Sequence, residues 1–142
     1  MKRSFFFFIP LLLLSACSNE KTYIVGKDAF CTGLADADLE TVYCVDAKDV
    51  PINGVIVEYY ESGKVFRKMT IINGQENGIE KEYYENGNLR VETNVVDGYA
   101  DGLSKLYNED GKLYMEINWD KGNATQMKVY DESGKVVAFT EN

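Results

Sequence analysis

Chemistry in this chain would have to come from three cysteines, Cys17, Cys31 and Cys44, and from glutamates and tyrosines that recur along it, because its 142 residues include no histidine. Without imidazole, the commonest general base, the commonest metal ligand and the usual partner of a Ser or Cys nucleophile are missing. Two thiols with no histidine and no CxxC spacing do not make a four-ligand zinc site. Asp36, Asp38, Asp46 and Asp49 cluster loosely, but without EF-hand spacing, so no metal is expected. No Gly-x-Ser-x-Gly, P-loop or zinc signature occurs. Glu61, Glu85 and Glu132 recur beside Gly-containing turns. Recurrence in every unit marks a solvated turn position, whereas a catalytic acid pair needs a cleft that separates its pKa values. The expectation is a protein that is not an enzyme and holds no cofactor.

Cys17 is set apart by its surroundings. Residues 1–4 are short and positive, residues 5–14 are apolar apart from Pro10, and Ser15 and Ala16 are small. Ten apolar residues at ~1.5 Å each cover about 15 Å, half a bilayer core, which fits a signal-peptide core and not a spanning helix. Leu14, Ser15, Ala16 and Cys17 resemble the lipobox of bacterial lipoproteins at all four positions. That resemblance implies diacylglycerol on the Cys17 sulfur, cleavage after residue 16, and a palmitate-type second acylation that makes the anchor durable. Ser18 after the cysteine implies outer-membrane sorting if the source is Gram-negative. An ordinary secretory signal with a chance cysteine is the alternative. Residues 17–22 would then be a lipidated tether, facing the periplasm or the exterior.

Two cysteines remain outside the cytoplasm, where disulfides persist. Cys31 and Cys44 allow one intramolecular pairing, worth about 3 kcal/mol in the chain-entropy model; free thiols are the alternative. Residues 23–50, which hold both, carry short apolar runs around Tyr23, Phe30 and Tyr43 separated by Gly and Asp. They are expected to form two or three strands that cap the rest of the chain.

Charge narrows the partners. The chain carries 15 basic and 23 acidic residues, a net of −8. Losing Lys2 and Arg3 with the signal leaves 13 against 23, or −10. Phosphate backbones and anionic headgroups repel such a chain, so nucleic acid is excluded and any membrane attachment must come from lipid. A cationic partner is the natural complement; mere solubility of an exposed sheet is the plainer account.

From Pro51 to Asn142 the sequence repeats. Gly54, Gly78 and Gly102 are 24 residues apart, as are Gly63, Gly87 and Gly111, and as are Gly74, Gly98 and Gly122. Tyr59, Tyr83 and Tyr107 keep the period, and Tyr130 comes at 23. Each unit reads as a hairpin: a strand up to the tyrosines, a turn such as Glu61-Ser62-Gly63-Lys64, and a second strand up to the next Asn-Gly or Asp-Gly pair. No ten-residue stretch of helical period is free of these breakers. The fold class expected is all-β, a single-layer antiparallel meander of hairpins with a short β cap.

Period-two alternation assigns the faces. In the second strands one face carries Val65, Met69 and Ile71, then Leu89, Val91 and Val95, then Leu113, Met115, Ile117 and Trp119, then Val136 and Ala138. Arg67 intrudes on it. The matching first-strand positions are Val55, Val57 and Tyr59, Ile79, Lys81 and Tyr83, Leu103, Lys105 and Tyr107, and Gln126, Lys128 and Tyr130. The four tyrosines thus form a ladder. Cross-strand aromatics can serve packing alone, or they can form a recognition surface, and Tyr59, Tyr83, Tyr107 and Tyr130 are the candidate binding residues.

The pattern Tyr-Tyr-Glu-Asn-Gly at 83–87, with Asn-Gly or Asp-Gly flanks and a period in the low twenties, resembles MORN-type repeats. More closely, it is similar to the MORN variant of the YwqK family of toxin–antitoxin antitoxins. The resemblance implies a repeat sheet that acts by protein–protein contact, with a toxin as one candidate partner. It also departs from the lipid-binding eukaryotic repeats, since no basic cluster accompanies the tyrosines. A structural or adhesive envelope scaffold with no toxin partner is the alternative. A glycan-binding protein would need a Tyr/Trp-lined cleft with paired carboxylates.

Overall fold

A computed structural model of the chain describes residues 21–32 and 42–141. The expected signal peptide, Cys17 and most of the tether lie outside the described residues. Within them there are thirteen strands and no helix. The cap holds β1 (Thr22–Ile24), β2 (Phe30–Thr32) and β3 (Tyr43–Val45). Four hairpins come next: β4 (Gly54–Tyr59) with β5 (Val65–Ile72), β7 (Gly78–Tyr83) with β8 (Leu89–Val96), β10 (Gly102–Tyr107) with β11 (Leu113–Asp120), and β12 (Asn123–Tyr130) with β13 (Val136–Glu141). Two-residue strands β6 (Gln75–Glu76) and β9 (Tyr99–Ala100) sit between hairpins.

All belong to one open sheet, ordered β13-β12-β11-β10-β8-β7-β5-β6-β3-β2, with β4 on the other edge of β5. The pairing is antiparallel except that β1 runs parallel to β4, Tyr23 opposite Ile56. Two turn types generate the meander. At each hairpin tip the glycine amide donates back across the turn, as Gly63 does to the Tyr60 carbonyl at 2.9 Å, with Gly63 at φ 81°. Between hairpins, Asn73 and Gly74 both take positive φ, 52° and 84°. That is the signature of a turn whose twist matches the flanking strands.

Every hairpin is also bulged. The register slips between Glu58 and Tyr59, between Glu82 and Tyr83, between Leu106 and Tyr107, and between Val129 and Tyr130. One residue of each second strand, Phe66, Arg90, Tyr114 or Val137, is therefore extra, and the alternation flips there.

The deeply buried core lies at one end. Tyr23, Ala29, Val42, Cys44, Ile52, Ile56, Met69 and Ile71 form it, where the cap folds over the first hairpin. Cys31 and Cys44 stand opposite each other on β2 and β3 and are disulfide-bonded. Two backbone bonds reach the Asn73-Gly74 turn, from the Cys44 amide to the Gly74 carbonyl at 2.7 Å and from the Gly74 amide to the Ile52 carbonyl at 2.9 Å, and a third, from the Ile52 amide to the Cys44 carbonyl at 3.1 Å, joins their other ends. Beyond that point the repeats bury their side chains mainly against neighbouring strands.

Candidate functional site

Residues directly opposite in a sheet share a face, so the register defines the two surfaces. One face carries Ile56 and Glu58 opposite Met69 and Arg67. Its central row continues through Glu82, Val91, Leu106, Met115, Val129 and Ala138. The other face carries the tyrosines. Each stands opposite an aliphatic residue: Tyr59 with Val65, Tyr83 with Leu89, Tyr107 with Leu113, Tyr130 with Val136.

This corrects the sequence expectation in one respect. Val65, Leu89, Leu113 and Val136 do not share the face of Met69, Ile71, Met115 and Trp119, and neither do Val55, Val57 and the tyrosines. The bulge moves the first group across, and Val55 pairs with Thr70 and Val57 with Lys68. The four tyrosines do share a face and a register position, but among the described residues no ring contact joins them; the ring pair present is Tyr60 with Phe66, centroids 5.1 Å apart.

The tyrosine face is open. Tyr59 is 46% exposed while Tyr83, Tyr107 and Tyr130 are half-buried, and on the same face Ile79, Leu103, Val136 and Phe139 are 40–51% exposed. In its central row Lys68 stands opposite Lys81, and from Lys81 onward the charge alternates through Glu92, Lys105, Glu116 and Lys128 in register. Lys81 pairs with Glu92 at 3.0 Å. The Tyr130 hydroxyl donates to Glu116 Oε2 at 2.6 Å, which holds its proton above the usual tyrosine range. A groove of about 540 Å³ opens between the first two hairpin tips, bounded by Lys64, Lys68, Tyr83 and Asn86.

The opposite face holds what sequence reasoning missed. Arg67, an intruder by alternation alone, is half-buried between carboxylates, with Nε 2.6 Å from Glu58 Oε2 and Nη1 3.3 Å from Glu80 Oε1. Glu82 is held by Arg90 at 2.8 Å. Glu76 is 6% exposed, and its Oε1 has no hydrogen-bond partner among the described residues. Burial pushes its carboxyl up to about 8, Glu80 adding to the effect and Arg67 opposing it. Burial likewise raises Glu80, against the pull of Arg67. The available signal was the alternation of Glu76, Glu80 and Glu82 on the face that already held Arg67. In this cluster burial favours the protonated form of Glu76, and the Glu58 and Glu80 carboxylates are directed at Arg67. Further along this face Trp119 Nε1 donates to Ser104 Oγ at 2.9 Å, and Ser104 Oγ donates to Thr93 Oγ1 at 3.0 Å, linking three strands.

Of the loosely clustered aspartates, Asp46 caps its own turn by accepting from the Lys48 and Val50 amides at 2.8 and 3.1 Å; Asp36 and Asp38 lie outside the described residues. Among the described residues no group of His, Cys, Asp and Glu is arranged to hold a metal ion, and no helix is long and apolar enough to cross a membrane.

A family model described as MORN repeat variant matches residues 52–73, 76–97 and 100–121. No curated protein matches the chain. Among solved structures, the crystal structure of TarM is similar over 82% of this chain and 21% of its own, at 11% identity and a TM-score of 0.40. The chain spans about a fifth of that protein, and so slight a likeness carries no argument.

Proposed function

The chain carries three MORN repeats of the variant type, at 52–73, 76–97 and 100–121, and from that premise we propose that it is a non-catalytic, lipid-anchored protein of the cell envelope that binds a protein partner through its tyrosine face. The observation that carries this is the exposed apolar content of that face: Tyr59, Ile79, Leu103, Val136 and Phe139 are each at least 40% exposed. Ile79 and Leu103 share one register position, Tyr59 and Val136 stand at the register position of the tyrosines, and Phe139 stands opposite Lys128. Scattered apolar residues are ordinary on a surface, but apolar side chains that recur on one face of successive hairpins serve recognition. Tyrosine suits the task because its ring is apolar and its hydroxyl polar. The anchor rests on the lipobox resemblance at 14–17, and a toxin as partner, with the chain acting as its antitoxin, rests on the YwqK resemblance.

Site-specific photocrosslinking tests the surface. A photoreactive residue at Tyr107 in the full chain, produced in its own cells, should yield a discrete protein adduct, and the same group at Met115 on the opposite face should not. Adducts from Met115 alone, or from neither position, would remove the proposal. For the anchor, Cys17→Ser should shift the protein from the membrane fraction to the soluble one.

A further inference from the structure

The tyrosine face departs from the charge of the molecule as a whole. The chain is acidic, with a net charge of −8, yet the groove between its first two hairpin tips is bounded by Lys64, Lys68, Tyr83 and Asn86. Among the described residues neither lysine has a carboxylate partner: Lys64 Nζ donates to the Glu85 backbone carbonyl at 2.8 Å, and Lys68 Nζ lies 6.0 Å over the Tyr83 ring. Lys68 moreover stands directly opposite Lys81. Like charges in that position destabilise a sheet; Lys81 is paired with Glu92 at 3.0 Å, which leaves Lys68 as the member of the pair without a counter-charge among the described residues.

The repeats supply an internal comparison. Advancing 24 residues turns Lys64, Lys68, Tyr83 and Asn86 into Asn88, Glu92, Tyr107 and Asp110. The corresponding positions one repeat along keep the tyrosine, lose both cations, and carry anions at Glu92 and Asp110. Glu92 faces Lys105 and Glu116 faces Lys128, so the later junctions are charge-complementary and only the first is not. Position 68 is thus where one repeat breaks the pattern that the others keep, and it does so on the exposed face.

We propose that this groove is a carboxylate-binding site, which takes an Asp or Glu side chain of the protein partner, with the ammonium groups of Lys64 and Lys68 on the carboxylate and the Tyr83 ring and Val65 against its methylenes. An ammonium has three donors, so Lys64 keeps two after its contact with Glu85. This inference rests on the proposed protein-binding role of the tyrosine face and adds that the partner is acidic where it meets the first junction, despite the acidity of the chain overall.

Calorimetric titration of the purified full chain with hexaglutamate tests it. One peptide per chain is expected to bind at low salt, with hexaglutamine inert. Lys68→Glu, which puts at this position the residue type that the next repeat carries there, should weaken hexaglutamate at least tenfold, and Lys64→Gln several-fold, with the circular dichroism unchanged. Failure of hexaglutamate to bind, equal binding to Lys68→Glu, or tighter binding of tetragalacturonate than of the peptide would each overturn it. Crosslinking from position 107 is independent of this groove. If the partner adduct persists while the peptide fails, only the carboxylate site falls; if the peptide binds while no adduct forms, the wider binding role falls.

Discussion

The Tyr60 hydroxyl donates to the Tyr83 carbonyl at 2.7 Å, one repeat further along the chain, and Tyr84 does the same to Tyr107 at 2.8 Å. Each bond crosses the seam between two hairpins. Tyr60→Phe and Tyr84→Phe should each lose about 1 kcal/mol in urea unfolding, the usual net value of a neutral hydrogen bond. The pair should add nearly independently, since each bond spans a different seam. A loss below about 0.3 kcal/mol in both would mean that water replaces the hydroxyl without cost.

Glu76 gives stability a pH dependence of unusual sign. Its carboxyl titrates near 8 in the folded chain against 4.5 when unperturbed. Between those values the folded state holds a proton that the unfolded state has released. Stability from this group is therefore fully present below about 4.5, falls as pH rises, and is gone above about 8. The charged groups facing it are Glu80, Arg67, Glu58 and Glu82. Glu76→Gln cannot ionise, so it should match the native chain at pH 4 and exceed it by roughly 3 kcal/mol at pH 9, at ~1.4 kcal/mol per pKa unit with allowance for coupling. Melting curves across that range check it; parallel curves for the two proteins would show that Glu76 titrates normally.

Removing the Cys31–Cys44 disulfide, by reduction or by the double Ala variant, should cost about 3 kcal/mol. The loss should be confined to the cap and first hairpin. Trp119 sits on β11, far along the strand order from β2 and β3, and a repeat contacts only its neighbours. Trp119 fluorescence should therefore report a nearly unchanged transition while far-ultraviolet dichroism reports an early one. Coincident transitions would show that the whole sheet unfolds as one unit.

Two glycines of the comb should differ in their tolerance of a methyl group. A Cβ on Gly74 would lie 2.7 Å from the Tyr43 ring and 3.1 Å from the Cys44 carbonyl, whereas one on Gly87 would meet nothing within 4 Å. Both have positive φ, 84° and 91°. Gly87→Ala should thus cost about 1 kcal/mol of backbone strain, and Gly74→Ala about twice that or more, because the cap must shift. Equal losses would mean that the cap is not seated on the Asn73-Gly74 turn.

The spacing of Gly63, Gly74 and their counterparts was enough to place the hairpins, because turns that need positive φ write themselves into sequence directly. The short apolar runs near Tyr23, Phe30 and Tyr43 likewise became β1, β2 and β3. Facing was harder. A bulge leaves no residue-type mark: Phe66, Arg90, Tyr114 and Val137 are chemically unlike, yet each is the extra residue. Simple alternation therefore carried Val65 and Leu89 to the wrong side and grouped the tyrosines with Met69. Arg67 looked like an exception because its partners, Glu58 and Glu80, come from other strands and are invisible to a pattern read along one. The Lys68–Lys81 pair is of the same kind, since net charge averages over the very position that departs from it.

The same cross-strand row runs through every seam, from Glu58 and Arg67 to Val129 and Ala138. Because each unit lays down two strands about 4.8 Å apart, gaining or losing one unit would lengthen or shorten the sheet by a step of about 10 Å while leaving its cross-section unaltered. The molecule is thus a ruler with fixed graduations, whose span is set by copying and not by redesign.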